Sequence, residues 1–399
     1  MNTATTKKNT PELRFPGFLG EWSIYEFGDV VKLGKEKFDP QKSKKYPHSI
    51  ELESIEKDTG EVIKYIPTQE LKSIKNVYQL GDVLYGKLRP YLRKFVHAKS
   101  DGVCTTEIWV FKTKKVEPSF LFYFIQGSRF NYFANVSAGS KMPRAEWDFV
   151  SASPIHFPKG VDEQAQIANF LESVDKLIKS FKTQKEKLEE YKRGIMQKIF
   201  SQEVRFKDED GKYFPEWQKM PVGHFLKERK EYSTKGNGYP HISLTTAGVV
   251  PKSERYHRDF LVKDDKSKKY KITRLNDLCY NPANLKFNVI DINRLGDGIF
   301  SPIYITYEIT EQDIDFVGYY LTHSSFINKA RRFEEGTVYE RMAVKPDDFV
   351  RVEIAMPSVD EQKRIANFLS DIDELITAKS KQIEKAEAWK KGLLQKMFV

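Results

Sequence analysis

The chain contains 399 residues, of which 40% are hydrophobic and 13% aromatic, so it can form two or three domains with separate cores. Its formal net charge of +10 favours a polyanionic partner. No apolar run approaches the roughly 18 residues of a membrane span, and the polar amino terminus lacks a signal-peptide core, so we expect a cytoplasmic protein. Cys104 and Cys279 lie in apolar, strand-like contexts and are predicted to be buried free thiols.

A first lobe is expected at residues 11–158, after a disordered leader at residues 1–10. It opens with PELRFPGFLGEW at residues 11–22, whose counterpart is VRFKDEDGKYFPEW at residues 204–217. Both segments place Arg-Phe ahead of Glu-Trp. We interpret each of them as a hydrophobic clasp that closes a lobe.

Within the lobe, short β-rich runs alternate with turns, as at Val83–Tyr85 and Ile108–Phe111. Residues 120–133, FLFYFIQGSRFNYF, have the length and spacing of one buried helix, and residues 317–333 mirror them in a second lobe at residues 202–357. The pattern predicts an α+β fold for each lobe.

Two forty-residue segments, Val161–Phe200 and Val359–Phe398, are copies of one another. They align without a gap at an offset of 198 and share 21 identities in 40 positions, so the chain is a tandem duplication. Apolar residues recur every seven positions, which places them on one stripe of a helix that needs an apolar partner. At about 1.5 Å per residue each helix would be a rod of roughly 60 Å.

We therefore expect two spacer helices, residues 159–201 and 358–399, that pack on each other antiparallel. Two unrelated surface helices are the alternative. Lys185, Lys192 and Lys390 interrupt the apolar rows. The residues assigned to helix pairing and partner docking are Ile167, Leu171, Val174, Ile178, Phe181, Leu188, Ile195, Leu369, Ile376, Ile383, Leu393 and Met397.

The two lobes share a strand but differ in the loop that follows it. Residues 81–85 align with residues 276–280 at an offset of 195, the same offset that relates Trp22 to Trp217. After the shared tyrosine, the first lobe continues GKLRPYLRK and the second NPANLK. Different polar loops on a common strand are typical of two readers with different targets. Neutral loop drift after duplication is the alternative.

A second loop precedes each spacer helix, at residues 137–144, SAGSKMPR, and residues 335–341, EGTVYER. Gly139 and Gly336 permit positive φ or a close backbone approach, and cations stand beside them. We interpret these loops as phosphate contacts, with solvated surface charge as the alternative.

The sequence contains no recognisable active site. Asn281-Pro282 is similar to the start of the Asn-Pro-Pro-aromatic motif with which adenine-N6 methyltransferases hold the target amine, but Ala283 and Asn284 replace the second proline and the ring. A GxxxxGK[ST] phosphate loop is absent, and the seven histidines lack the close spacing of a zinc site. We expect a non-catalytic chain that binds no metal and no cofactor itself.

Two variable lobes separated by two near-identical long helices resemble the specificity subunit (HsdS) of type I restriction-modification systems. The most specific elements are VDEQ at residues 161–164 with IANFL at residues 167–171, and the same pattern at residues 359–369. Residues 86–92, GKLRPYL, and residues 140–144, SKMPR, also look like the family. The resemblance covers nearly the whole chain.

The resemblance implies two tandem α/β target recognition domains separated by two long conserved helices that pair as an antiparallel coiled coil in a pseudo-twofold internal repeat. Each domain would read one half of a bipartite, asymmetric target in double-stranded DNA. The helix pair would set the spacer and dock the modification subunits. The family's assembly has two modification subunits (HsdM) and, for cleavage, two restriction subunits (HsdR). S-adenosylmethionine, ATP and Mg are then expected on those partners.

Base reading needs side chains at base edges in the major groove, with Arg on guanine and Asn on adenine as favoured pairings. The candidates for base reading are Lys87, Arg89, Arg93, Asn281, Asn284 and Lys286. The candidates for phosphate contacts, which position the protein without specifying a sequence, are Lys94, Lys141, Arg144 and Arg341. Two other classes stay open: a coiled-coil adaptor that joins two protein-binding lobes, and a nuclease or methyltransferase in its own right.

Overall fold

The computed structural model describes residues 9–136, 142–234, 237–252, 268–336 and 342–399. The chain forms two compact units, Met1–Thr183 with Lys379–Val399, and Gln184–Ala378. Each unit therefore contains one lobe together with parts of both long helices. Over the described ranges, no helix combines the length and the apolar character needed to cross a membrane.

The first unit contains eleven strands in its described part. They are β1 (Ser23–Glu26), β2 (Val31–Leu33), β3 (Lys37–Phe38), β4 (His48–Ile50), β5 (Ile66–Pro67), β6 (Lys75–Tyr78), β7 (Val83–Gly86), β8 (Phe95–His97), β9 (Gly102–Thr105), β10 (Ile108–Thr113) and β11 (Pro154–Phe157). The order β2-β10-β7-β8 makes an antiparallel sheet. A second sheet has the order β3-β6-β9-β4-β5, with β4 and β9 parallel, and β1 pairs with β11.

The helices of the first lobe are α1 (Phe27–Val30), α2 (Pro118–Phe124), α3 (Ser128–Asn135) and α4 (Trp147–Ser151), and the first long helix is α5 (Val161–Phe200). The prediction of one helix at residues 120–133 is wrong, because α2 and α3 are separate. Gly127 has an extended backbone, with φ −71° and ψ 162°, which interrupts the helical hydrogen bonding. The break lets Phe124 and Phe130 pack in the same core at 6.1 Å between ring centroids.

The four-stranded sheet of the first unit is covered on both faces, so its central strands are buried over all of β7 and over residues 108–111 of β10. Trp109 and Phe111 of β10 pack in the aromatic core with α2 and α3. Ile108 and Val110, on the opposite face, pack in a smaller core that includes Cys104. The predicted burial of both free thiols is confirmed, and burial raises the pKa of each of them.

The second unit repeats this architecture. Its described strands are β12 (Gln218–Pro221), β13 (Leu226–Glu228), β14 (Tyr232–Thr234), β15 (Ile242–Thr245), β16 (Gly248–Pro251), β17 (Lys269–Thr273), β18 (Leu278–Tyr280), β19 (Ile290–Ile292), β20 (Gly298–Phe300), β21 (Ile305–Ile309) and β22 (Glu353–Met356). The sheet β13-β21-β18-β19 has the strand succession of β2-β10-β7-β8. The remaining sheets are β14-β17-β20, β15-β16 and β12-β22.

The helices of the second lobe are α6 (Ile314–Thr322), α7 (Ser324–Ala330) and α8 (Pro346–Phe349), followed by the second long helix α9 (Val359–Met397). The continuous helix predicted at residues 317–333 is broken between α6 and α7. His323 has extended backbone, with ψ 144°, and its ring nitrogen Nδ1 accepts a hydrogen bond from the Ser325 amide at 3.3 Å. This side chain caps α7 and so fixes the break.

The sequence predicted a clasp held by hydrophobic contact. In the structure, each clasp also contains a buried ion pair. In the first unit, Arg14 donates to both carboxylate oxygens of Glu163 at 2.7 and 2.9 Å, and the Trp22 indole donates to the same carboxylate at 3.1 Å. Glu163 is buried in the first turn of α5, where the helix macrodipole also stabilises its negative charge. The clasp thus joins the opening of the lobe to the start of the long helix.

The second clasp uses the equivalent residues. Arg205 donates to the two oxygens of Glu361 at 2.9 and 3.1 Å, and the Trp217 indole donates at 3.0 Å. Glu361 is fully buried in the first turn of α9. The Arg-Phe, Glu-Trp and VDEQ motifs, which are far apart in the sequence, therefore act together in each unit.

The long helices contact each other within each unit. In the first unit, the Phe170 and Trp389 rings are in contact, and Lys390 pairs with Asp175 at 2.7 Å. In the second unit, Lys192 pairs with Asp373 at 2.6 Å. Lys192 and Lys390 correspond at the repeat offset of 198, as do their two aspartates.

Candidate nucleic-acid interface

Two loops, which we call the reader loops, follow the equivalent strands β7 and β18. Reader loop 1 is residues 86–94 and reader loop 2 is residues 281–289, so each has nine residues. The flanking registers match, because Tyr85 pairs with Phe95 and Tyr280 with Ile290. The two loops therefore correspond residue by residue at an offset of 195.

The turns that lead into these strands are also equivalent. Gly81 and Asn276 both have positive φ, 87° and 70°. The Asp82 carboxylate accepts from the Gln79 amide at 2.6 Å, and Asp277 accepts from the Arg274 amide at 2.8 Å. The same scaffold thus presents both reader loops.

Reader loop 1 contains a 3-10 turn, Pro90–Leu92, between two arginines in the left-handed region. Arg89 and Arg93 both have φ of 51°, a conformation that costs a non-glycine residue about 1 kcal/mol or more. The Arg93 side chain is bonded to the Asp58 carboxylate and to the Gln126 carbonyl. Arg89 is exposed. Among the described residues, its guanidinium has no hydrogen-bond or ion-pair partner, so it can contact another molecule.

Reader loop 2 contains a longer 3-10 helix, Pro282–Phe287, followed by Asn288 with φ of 58°. Asn288 corresponds to Arg93, so both loops end on a left-handed residue. Buried Leu285 anchors the turn, while Lys286 and Phe287 are exposed. The Lys286 ammonium lies 5.2 Å from the centre of the Phe287 ring.

The described part of the predicted second loop in the first lobe lies directly beside reader loop 1. In the first unit, the Arg89 amide donates to the Pro143 carbonyl at 2.8 Å, and the Ala145 amide donates to the Lys87 carbonyl at 2.9 Å. In the second unit, the Val344 amide donates to the Pro282 carbonyl at 3.1 Å. In the first lobe the structure thus brings Arg144 of the second loop beside Lys87 and Arg89 of the reader loop.

Three of the predicted contact residues are used inside the protein. Arg93 is held by Asp58, and the Lys94 ammonium donates to the Leu52 carbonyl. Asn281 is only 4% exposed, and its side-chain oxygen caps the 3-10 helix by accepting from the Ala283 amide at 3.1 Å. Each of these three side chains has a partner within the fold, and its assignment as a DNA contact stays a prediction.

The other candidates are placed as follows. Arg89 and Lys286 are exposed, and Lys87 and Asn284 are half-buried at the loop surface. Arg144 is exposed and forms a two-bond ion pair with Glu107, whose carboxylate raises the pKa of the guanidinium. Lys141 and Arg341 lie outside the described residues.

Most of the predicted helix residues lie in the two main cores. Buried in the core of the first unit are Ile167, Leu171, Val174, Ile178, Leu393 and Met397, with Phe181 packed against them. In the second unit Leu369 is buried, with Ile195 and Ile376 packed against the core. Leu188 and Ile383 are half-buried.

Sequence reasoning missed two aromatic side chains on the reader loops. Tyr91 is 52% exposed and Phe287 is 59% exposed. Each loop presents an exposed aromatic ring and an exposed cation, Tyr91 with Arg89 in loop 1 and Phe287 with Lys286 in loop 2. The two rings are not at equivalent positions, because Tyr91 corresponds to Lys286 and Leu92 to Phe287. The signal in the sequence was an aromatic residue within two positions of a cation in a loop that also contains proline.

These features define a class of protein in which one duplicated α+β scaffold presents two different basic loops. Residues 20–190 match the type I restriction modification DNA specificity domain. The chain is 23% identical to the type I restriction enzyme MjaVIII specificity subunit of Methanocaldococcus jannaschii, over 94% of this chain and 91% of the relative.

Solved structures show the same fold. A chain from a study of complex assembly and conformational transition of the type I R-M system aligns with a TM-score of 0.62 and 17% identity, covering 94% of this chain and 97% of the other. The HsdS subunit from Thermoanaerobacter tengcongensis aligns with a TM-score of 0.50 and 18% identity, covering 96% and 97%. Together these matches support a protein of the type I restriction-modification specificity subunit (HsdS) family.

Proposed function

We propose that this chain selects the DNA target of a type I restriction-modification complex, with each lobe reading one half of a bipartite, asymmetric sequence. The observation that carries the proposal is the residue-by-residue match of the reader loops. Two strands with the same register present loops of equal length and equal end geometry, yet their outward side chains differ. A conserved scaffold with different outward chemistry suits two different half-sites.

The chemistry of the loops supports contact with duplex DNA. Arg89 can bond two acceptors of guanine in the major groove, and Asn284 and Lys286 can bond purine edges. Arg144 lies beside Arg89 and can position a backbone phosphate, and Lys87, which lies beside them, stays a candidate for base reading. For the phosphate candidates outside the described residues, Lys141 and Arg341, the proposal rests on sequence position.

We assign the long helices α5 and α9 to spacing and assembly. The contacts between the two helices within each unit support an antiparallel coiled coil. This coiled coil would set the number of unread base pairs between the half-sites, in a pseudo-twofold frame. The helix pair would also dock two modification subunits, joined by two restriction subunits in the cleaving complex. The chain itself would be non-catalytic, with S-adenosylmethionine, ATP and Mg bound by those partners.

The first experiment is to co-express the chain with its modification subunit in a host that lacks adenine methylation, and to map N6-methyladenine across the genome. We expect one bipartite motif that disappears when this chain is omitted. A map that does not depend on this chain would refute the proposal, and would favour the adaptor alternative.

A second experiment separates reading from phosphate contact. Arg89→Ala should impair recognition of one half-site by about 1–3 kcal/mol while the other half-site is read as before. Uniform weakening on every sequence would move Arg89 to the phosphate contacts. Affinity of the wild-type complex should also fall steeply with salt, because phosphate contacts release counterions.

A further inference from the structure

Tyr91 and Phe287 are exposed on loops that the fold holds in place. In reader loop 1, Arg93 is tied to Asp58, and buried Pro90 fixes the turn from which Tyr91 projects. More than half of the Tyr91 side chain remains exposed. Single exposed apolar side chains are common on protein surfaces, so the exposure of Tyr91 matters because its ring lies on a reader loop.

Reader loop 2 presents its ring in the same setting. Leu285 is fully buried at the position that corresponds to Pro90, so the turn before Phe287 is anchored from below. Phe287 is 59% exposed, with the Lys286 ammonium 5.2 Å from its ring centre. Reader loop 2 therefore pairs an exposed ring with an adjacent cation, and reader loop 1 places Arg89 two residues before its exposed ring.

The two lobes arrange these groups in different orders along the corresponding positions. The cation Arg89 precedes the ring by two residues in loop 1, whereas Lys286 occupies the position of Tyr91 and is followed directly by Phe287 in loop 2. Tyrosine also carries a hydroxyl that can donate or accept a hydrogen bond, and phenylalanine does not. The rings thus offer the two lobes different recognition chemistry on one scaffold.

We propose that Tyr91 and Phe287 are specificity-determining residues whose rings contact bases, one ring in each half-site, while the neighbouring cations hold the polar edge or the phosphate beside them. This inference rests on the proposed function and extends it to two residues. An aromatic ring can pack on a thymine methyl group or against an unstacked base step. Charge complementarity favours duplex DNA as the occupant, because Lys286 lies beside Phe287, exposed Arg89 stands two residues before Tyr91, and the chain has a net charge of +10.

The test uses the complete complex with its modification subunits and measures methylation rates on DNA libraries in which one half-site at a time is randomised. Tyr91→Ala should reduce discrimination at one or two positions of the first half-site by at least about fivefold. Phe287→Ala should do the same in the second half-site only. Tyr91→Phe, which keeps the ring, should retain most of the discrimination that Tyr91→Ala loses.

Tyr213→Ala provides a matched control, because Tyr213 is 66% exposed and has the Lys207 ammonium 4.8 Å from its ring centre, yet lies in the second clasp. This variant should read both half-sites like the wild type. Melting curves of all variants should match that of the wild type, since the altered rings are exposed.

Two outcomes would overturn the inference while the proposed function stands. One is unchanged discrimination in Tyr91→Ala and Phe287→Ala with a bipartite wild-type motif. The other is an equal loss of rate on every library member, which would mean that the rings support binding without reading bases. If the wild-type complex itself shows no bipartite motif, the proposed function fails first, and the inference fails with it.

Discussion

Lys192 and Lys390, two of the lysines that interrupt the apolar rows of the long helices, should stabilise the helix pair. In the second unit, the Lys192 ammonium lies 2.6 and 2.7 Å from the two carboxylate oxygens of Asp373. The Tyr319 hydroxyl donates to the same carboxylate at 2.7 Å, and Lys192 lies 4.7 Å from the centre of the Tyr319 ring. We predict a favourable coupling between Lys192 and Asp373 that a double-mutant cycle will measure.

The expected magnitude follows from distance and exposure. A hydrogen bond to a charged group contributes about 1.5–3 kcal/mol. The Lys192 side chain is 20% exposed and that of Asp373 40% exposed, so solvent screens part of the interaction. We therefore expect a coupling energy of about 1–2 kcal/mol between Lys192→Met and Asp373→Asn. Both substitutions keep the side-chain size close to the original, and asparagine still accepts from Tyr319.

The assay is unfolding in urea, monitored locally through the hydrogen exchange of peptides from residues 184–200 and 359–378. A local readout is needed because a chain with two compact units need not unfold in one step. Lys185→Met is the control, because Lys185 pairs with Glu189 of its own helix at 3.7 Å. It should change the free energy of unfolding by less than about 0.5 kcal/mol.

The equivalent pair of the first unit, Lys390 and Asp175, should give a similar coupling when measured on residues 161–183 and 379–397. Its geometry is comparable, with 2.7 Å between the charged atoms and the Tyr123 hydroxyl bonded to Asp175 at 3.0 Å. Couplings below about 0.3 kcal/mol in both units would refute the reasoning, and would leave the apolar contacts as the basis of the pairing.

Three further predictions concern the clasp, the phosphates and the spacer. Glu361→Gln leaves the Arg205 guanidinium without its buried counter-charge, and should destabilise the second unit by about 2–3 kcal/mol in urea unfolding; a change within error would show that the clasp is dispensable. Arg144→Ala should weaken binding about equally on all DNA sequences and lower the slope of log affinity against log salt by about 1, so a changed sequence preference would contradict its assignment. Leu369→Asp places a charge in the core of the second unit and should allow methylation at altered half-site spacings. Methylation at the native spacing alone would refute the proposal that the helix pair sets this spacing.

The sequence predicted those features that depend on local pattern. The seven-residue spacing of apolar side chains predicted both long helices, because a stripe on a helix is set by residues within a few turns. Residues 159–201 and 358–399 were expected, and α5 and α9 lie within those ranges. The shared strands were found for the same reason, since the alignment of residues 81–85 with 276–280 needs no knowledge of what packs on them.

The sequence did not predict where helical runs break. Residues 120–133 and 317–333 have helical periodicity on both sides of an interruption, and the interruption depends on one backbone conformation. Gly127 and His323 adopt that conformation because the separated helices bury their aromatic residues in a common core. Periodicity alone does not distinguish this from a single helix.

Only the tertiary structure determines whether a cation forms an internal ion pair or stays exposed. Arg89 and Arg93 are alike in the sequence, but Asp58 lies beside Arg93 and leaves Arg89 exposed. From the sequence alone, Lys192 interrupts an apolar row and is expected to weaken helix pairing. In the structure it pairs with Asp373 of the other long helix. A charge is stabilised or left available by partners distant in the sequence, so the fold alone assigned some cations to internal ion pairs and left others on the surface.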